Sequence, residues 1–187
     1  FNIPLEKVTK QQRSHAKIVN FGIIYGVSAF GLSNQTDLNI KESKNLIDTY
    51  YEKYPKLKQF IEKQISFARD KGYVETILGR RRVLRDINSS NSIIKSAAER
   101  NAVNAPIQGS AADIIKMSMI NIQKEFISKK IKSKMLLQIH DELVFDVFKP
   151  ELNQVIEIVR YQMENVFKLD VPLSVDINYG VNWLEAH

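Results

Sequence analysis

Four residues spaced four apart near the amino terminus are the first candidates for binding chemistry. Arg13, Lys17, Phe21 and Tyr25 recur at one interval, and a helix keeps residues with that spacing on one face, rising roughly 6 Å per step. Such a face presents two cations and then two aromatic rings. That order suits a phosphate chain followed by a sugar and a base, although an ordinary amphipathic surface helix gives the same pattern.

The second candidate site is the sequence His140-Asp141-Glu142, which lies between two apolar segments. Two adjacent carboxylates at the tip of a hairpin suit a divalent metal, because Mg²⁺ takes one or two carboxylates together with water and phosphate oxygens. Adjacent strand residues point to opposite faces, so a regular tip offers only one primary ligand. We favour Asp141 as that ligand, and a simple exposed turn is the alternative.

Two other enzyme classes are disfavoured by missing motifs. The sequence has no G-x-S-x-G motif, which a Ser-His-Asp hydrolase uses to present its nucleophile. It also has no H-E-x-x-H motif and no cysteine, so a zinc site is disfavoured.

A third group consists of Arg100, Asn104 and Gln108, again at a spacing of four, on a segment rich in alanine and isoleucine. Such a polar stripe is commonly the wet face of a helix. The same three residue types also suit hydrogen bonding to base edges and sugar oxygens.

Local patterns predict the elements that must position these groups. Thr9 and Gln12 have capping-box spacing, so a helix is expected over residues 10–26, docked through Ala16, Val19 and Ile23. The other predicted elements are helices near residues 40–54, 56–71, 93–129 and 151–168, hairpins over 73–84 and 134–148, a strand over 173–177, a linker over 88–92, and an interruption of the fourth helix at Pro106.

Composition indicates a globular protein without a membrane span. The 187 residues are 44% hydrophobic and 26% charged, with no apolar run of 18 residues. The amino terminus shows no basic segment leading into an apolar one, which argues against a secretory signal. The first residue is Phe1 and not Met, so we expect a fragment. The absence of cysteine fits a reducing compartment, and we expect a cytoplasmic protein.

The positive charge lies in the first half of the chain. Residues 1–90 hold 16 lysines and arginines against 9 acidic residues, and residues 91–187 hold 11 against 12. A basic half predicts a polyanionic partner, although a soluble basic surface is equally compatible. Arg80, Arg81 and Arg82, at the turn of the first hairpin, are open to the same two interpretations.

Taken together, these motifs resemble the carboxyl-terminal part of the family A DNA polymerases, the bacterial DNA polymerase I type. The resemblance rests on the residues above within RNAVNAPIQGSAAD and QIHDELVF, on YVETILGRRR and on the NWLEAH ending, and covers essentially the whole chain. It implies an α+β, mostly helical fold: a helical fingers subdomain over residues 1–88 and part of a palm with a small antiparallel sheet over 89–187.

The resemblance also implies roles for individual residues. The helix over residues 10–26 matches the mobile fingers helix, in which Arg13 and Lys17 hold triphosphate oxygens, Phe21 packs on the sugar and Tyr25 stacks by the templating position. A phenylalanine at the third of these positions is associated in the family with rejecting dideoxynucleotides. The remaining implied roles are duplex contacts by Arg100, Asn104, Gln108 and His140, Mg²⁺ binding by Asp141 and Glu142, and a catalytic set of Asp141, Glu142 and Lys17.

One departure from the family pattern affects activity. The family uses a second palm aspartate in a DYSQIELR-like segment, and neither that segment nor a thumb is present. Two-metal nucleotidyl transfer needs carboxylates from both places, so the resemblance implies a fragment that is inactive without the upstream remainder of its parent chain. Its expected partners are primer–template DNA and deoxynucleoside triphosphates. A non-catalytic nucleic-acid-binding module is the alternative, and a fragment that binds neither is a third possibility.

Overall fold

The computed structural model describes residues 3–186, so residues 1, 2 and 187, at the outer ends of the predicted subdomains and of the NWLEAH motif, lie outside the described residues. The fold is α+β and mostly helical, as predicted. No helix in residues 3–186 combines the length and apolar character needed to cross a membrane. The helices are α1 (Lys10–Ile24), α2 (Ala29–Ser33), α3 (Ile40–Lys53), α4 (Pro55–Lys71), α5 (Ser92–Ser128), α6 (Leu152–Glu164) and α7 (Trp183–Ala186), and the strands are β1 (Tyr73–Glu75), β2 (Arg81–Val83), β3 (Lys134–Ile139) and β4 (Glu142–Asp146).

Local capping explains where α3 and α4 begin and end. Asn39 and Glu42 form a reciprocal capping box at the start of α3, with two hydrogen bonds of 2.9 Å. Pro55 occupies the first turn of α4, where its missing N–H costs nothing. Gly72 ends α4 with a left-handed φ of +75°.

Both hairpins are antiparallel pairs. In the first, Tyr73 lies opposite Val83 and Glu75 opposite Arg81. In the second, β3 pairs with β4 with one irregularity in register between Met135 and Leu137.

Two compact units are present, divided between Ile107 and Gln108. This division is one of contacts. The predicted boundary between fingers and palm, at residues 88 and 89, separates parts with different proposed functions. It stays a prediction.

The first unit has its main core where α4, the first hairpin and the first half of α5 meet. Alanines dominate this core and let the backbones approach closely. Its buried members are Ala68, Val74, Leu84, Ile87, Ala98, Ala102 and Ala105.

The second unit packs α6 against the second hairpin and the last turns of α5. Ile122, Phe126, Val155, Ile158 and Val159 are its buried core. Phe145 of β4 joins this core, with its ring centroid 6.0 Å from that of Phe126. The face of the hairpin that carries Phe145 is therefore packed against the helices.

The sequence predicts a kink or a break at Pro106, and the break is wrong, because α5 runs through this residue as one helix. Proline removes one N–H from the helical ladder. Its neighbours Ala102 and Ala105 are buried in the first core, and Pro106 is itself buried. Tertiary packing therefore holds the helix through a residue that would break an isolated one.

The predicted strand over residues 173–177 is also wrong, since the segment is not paired into a sheet. Leu173, Val175 and Ile177 do alternate in burial as predicted. However, the Val175 N–H donates to Glu164 Oε1 at 3.1 Å, and Arg160 Nη1 donates to the Val175 carbonyl at 3.0 Å. Two side chains of α6 thus satisfy the backbone groups that a neighbouring strand would use.

The predicted linker over residues 88–92 is instead a bonded turn. Asn88 Nδ2 donates to the Arg69 carbonyl at 3.0 Å. The Asn91 side-chain oxygen accepts from Ile93 N–H at 3.0 Å in the first turn of α5. Asn91 serves here as the N-cap of α5, a position at which asparagine is strongly preferred.

Candidate functional site

Local interactions fix both ends of α1. Thr9 and Gln12 form the predicted capping box, with hydrogen bonds of 3.0 and 3.2 Å. At the other end, Gly26 has a φ of +75° and donates to the Ile23 carbonyl at 3.0 Å, while Val27 donates to Gly22 at 2.8 Å. These two bonds define a Schellman motif, which requires a left-handed residue that glycine supplies at least cost.

The four residues singled out by their spacing all lie on or directly after α1. Arg13 and Lys17 are exposed, and among the described residues no carboxylate pairs with either. Phe21 is 50% exposed, and its ring stacks on Tyr25 with centroids 6.2 Å apart and an interplanar angle of 16°. The structure therefore brings together two uncommitted cations and a pair of nearly parallel rings.

Two tyrosines of α3 contact α1 near its carboxyl-terminal end. Tyr50 Oη donates to Asn20 Oδ1 at 2.5 Å, and Tyr51 Oη lies 3.5 Å from the Ile23 carbonyl. Burial raises the pKa of both phenols, with a further contribution from a neighbouring tyrosine in each case. Because a phenol with a raised pKa stays protonated, both hydroxyls remain donors.

Only part of the predicted docking face of α1 is packed. Ile23 is fully buried and Val19 is partly buried, but Ala16 is exposed. The Asn20–Tyr50 contact was not predicted from the sequence, because a pair thirty residues apart leaves no mark in local spacing.

Arg100 lies beside the end of α1. A Cβ placed on Gly26 would meet Arg100 Cγ at 3.5 Å, an ordinary van der Waals distance. Arg100 is exposed, whereas Asn104 one turn later has its Oδ1 atom buried without a hydrogen-bond partner among the described residues. Gln108 is exposed and begins the second unit.

The carboxylate pair lies at the tip of the second hairpin. Ile139 pairs with Glu142, so His140 and Asp141 form a two-residue loop. His140 has a left-handed φ of +54°, and its carbonyl accepts from Gln138 Nε2 at 3.0 Å. A non-glycine residue in that region costs about 1–2 kcal/mol, a strain often found at functional sites.

Asp141 and Glu142 are both exposed. Within residues 3–186 the Asp141 carboxylate has no hydrogen-bond or ion-pair partner. Their hard oxygen atoms fit the chemistry of Mg²⁺. However, no group of three acidic, histidine or cysteine side chains in this part of the chain could hold a metal ion. The hairpin therefore offers an incomplete set of metal ligands.

The base of the same hairpin is held by Glu151, which was not predicted from the sequence. Its carboxylate accepts from the backbone N–H groups of Lys132 and Ser133 and from Ser133 Oγ, at 2.7–3.0 Å. Ser133 Oγ in turn accepts from Phe148 N–H at 3.0 Å. The Lys132 N–H bond, followed by the bonds from Ser133, lowers the pKa of Glu151 despite some desolvation. This network ties the start of β3 to the segment after β4.

Comparisons with known proteins agree with this arrangement. The family model described as DNA polymerase family A matches residues 1–185. DNA polymerase I of Streptococcus pneumoniae is 50% identical over 181 residues, covering 97% of this chain and 21% of the relative. DNA polymerase I of Borreliella burgdorferi is 46% identical over 187 residues, covering 100% of this chain and 21% of the relative. The chain thus spans about a fifth of the length of these relatives.

A solved structure, the POL domain of Pol1 from M. smegmatis in complex with DNA primer–template and dNTP, is also similar. It superposes with a TM-score of 0.95 at 41% identity, covering 100% of this chain and 33% of that one.

Proposed function

Because the chain belongs to DNA polymerase family A, we propose that it forms the part of a DNA-directed DNA polymerase that binds the incoming deoxynucleoside triphosphate and contributes carboxylates to nucleotidyl transfer. The observation that carries this proposal is the exposed face of α1. Two cations without partners among the described residues are followed there by two stacked rings.

Arg13 and Lys17 hold the triphosphate. Arginine binds phosphate oxygens through a planar fork of donors, and lysine acts as a compact point charge. Lys17 also belongs to the catalytic set, because a cation at the phosphates offsets the charge that develops during transfer. Phe21 packs on the sugar, and Tyr25 lies by the templating position.

Four residues contact the primer–template duplex in this proposal. Arg100 and Gln108 have exposed side chains that can reach sugar, phosphate or base edges, and His140 stands exposed at the hairpin tip. Asn104 is the least accessible of the four, because its Oδ1 atom is buried. A base contact through that oxygen requires a change of side-chain conformation.

Asp141 and Glu142 hold Mg²⁺ through their carboxylate oxygens. The bound ion supplies positive charge near the transferring phosphoryl group and the attacking oxygen. The protein's own part is to present Asp141 on a short loop, without a competing cation among the described residues. Carboxylates outside these 187 residues complete the site, so the isolated chain is inactive.

The remainder of the parent chain is the expected partner of the second unit. Leu136 and Leu137 of β3 are 56% and 54% exposed. The hairpin is a two-stranded sheet that packs on helices α5 and α6 through residues such as Phe145, and these two leucines remain exposed. Polypeptide from elsewhere in the polymerase would bury these leucines.

Nucleotide binding by single-charge variants of the longer polymerase tests the proposal. Arg13→Ala and Lys17→Ala should each weaken binding of a deoxynucleoside triphosphate by about 10- to 150-fold, the value of a hydrogen bond to a charged group. Lys41→Ala and Lys44→Ala on α3 remove the same charge at exposed sites away from α1 and should have little effect.

Two results would contradict the proposal. Equal losses in all four variants would mean that binding follows total charge, as expected for a non-catalytic module that coats nucleic acid. Primer extension by the purified 187-residue chain, abolished by Asp141→Ala, would show that the isolated chain is active after all.

A further inference from the structure

A cavity of about 520 Å³ lies behind the amino-terminal half of α1, within the first unit. Ala16 and Val19 line it from α1, Leu38 from the segment before α3, and Leu46 and Tyr50 from α3. This volume falls in the range of small-molecule sites, which are mostly apolar with a few polar groups.

The polar groups at the cavity are of two kinds. The Thr36 hydroxyl donates to the Leu32 carbonyl at 2.8 Å, and the Tyr50 hydroxyl donates to Asn20, so both are already engaged. Asp37 is the only acidic residue among the described lining residues, which include the His15 imidazole but no lysine or arginine. Its carboxylate is exposed and has no ion-pair or hydrogen-bond partner in the part of the chain that the structure describes.

We propose that this cavity binds an aromatic amine. The apolar walls take a ring system, and the Asp37 carboxylate pairs with the ammonium group. An anion of the same shape is disfavoured by the Asp37 charge, because the lining holds no lysine or arginine and its one basic side chain is the His15 imidazole.

The amine site adjoins the proposed triphosphate face of α1 through Asn20, but most of its α1 lining lies farther around the helix. His15 and Val19 of the cavity each lie two residues from Lys17, which places them about 160° away around the helix. The two sites also select opposite charges. Amine binding therefore does not depend on the proposed polymerase function, and it can be measured without nucleotide.

Three indole compounds test the proposal on the longer protein that contains these residues. Tryptamine, tryptophol and indole-3-acetate share one ring system and carry an ammonium, a hydroxyl and a carboxylate group. Calorimetric titration should show saturable binding of tryptamine at one site, up to about fivefold tighter than tryptophol, as expected for one charge pair near the surface. Indole-3-acetate should bind weakest.

Matched variants locate the site. Asp37→Asn should weaken tryptamine by up to about fivefold and leave tryptophol unchanged, whereas Asp48→Asn, at an exposed position of α3 away from the cavity, should change neither. Leu46→Trp should abolish binding by filling the cavity, and Val19→Phe serves if that variant does not fold. Absence of saturable binding, equal binding of the three compounds, or full binding after the cavity is filled would overturn the proposal.

Discussion

Replacing Gly26 with alanine measures the cost of the left-handed turn that ends α1. Gly26 has a φ of +75°, a conformation that costs a residue with a Cβ about 1–2 kcal/mol. The added methyl would meet Arg100 Cγ at 3.5 Å, an ordinary contact, so it adds no clash. The free energy of unfolding should therefore fall by about 1–2 kcal/mol, from the backbone alone.

The chain supplies matched controls for this backbone cost. Gly79 and Gly72 have φ values of +77° and +75°, and an added Cβ at either would meet nothing within 4 Å. Urea unfolding should give similar losses for Gly26→Ala, Gly79→Ala and Gly72→Ala, at an unchanged dependence on urea. Nucleotide binding by the longer polymerase should weaken only for Gly26→Ala, because Tyr25 directly precedes this glycine.

Two outcomes would refute this reasoning. A loss below about 0.5 kcal/mol for Gly26→Ala, with normal losses in the controls, would mean that α1 does not end in a strained left-handed residue. A loss above about 3 kcal/mol would mean that Arg100 cannot tolerate the methyl group, so that steric contact, and not backbone strain, dominates.

Three further variants test the contacts around the two candidate sites. Tyr50→Phe removes the bond to Asn20 and should lower the free energy of unfolding by about 0.5–1.5 kcal/mol in urea titration; no change would show that the bond adds nothing to stability. The pKa of Glu151 is lowered from its ordinary value of 4.5, so its contribution is present above that pH and is lost as pH falls through the folded-state pKa. Stability should therefore decrease more steeply with acidification in the parent protein than in Glu151→Gln, and parallel profiles would contradict this. His140→Gly should raise stability by up to about 1 kcal/mol by relieving the left-handed strain, yet weaken primer–template binding by the longer polymerase, and a gain in both would remove His140 from the proposed duplex contacts.

Elements governed by local interactions were predictable from the sequence. Thr9 and Gln12 predict the start of α1, and Gly26 and Gly72 predict the ends of α1 and α4. These positions are predictable because capping depends on residues within one turn. The hairpin tip at His140-Asp141 also falls where the apolar pattern breaks. The clustering of Arg13 and Lys17 with two stacked rings follows from helical spacing alone.

Features that depend on distant residues were not predictable. Pro106 stays within a helix because alanines of a core surround it, and Val175 forms no ladder because Arg160 and Glu164 satisfy its backbone. The Glu151 network joins residues up to nineteen apart. In each case a tertiary contact outweighs the local preference that the pattern records.

The partners of charged side chains separate structural from reactive groups in this chain. Glu75 is paired with Arg81 at 2.9 Å, and Glu151 is surrounded by N–H donors. The Asp141 carboxylate has no such partner among the described residues, although the loop that carries it includes a strained residue. Lys17 likewise has no carboxylate partner among the described residues, and the proposed role of each group in binding rests on that observation.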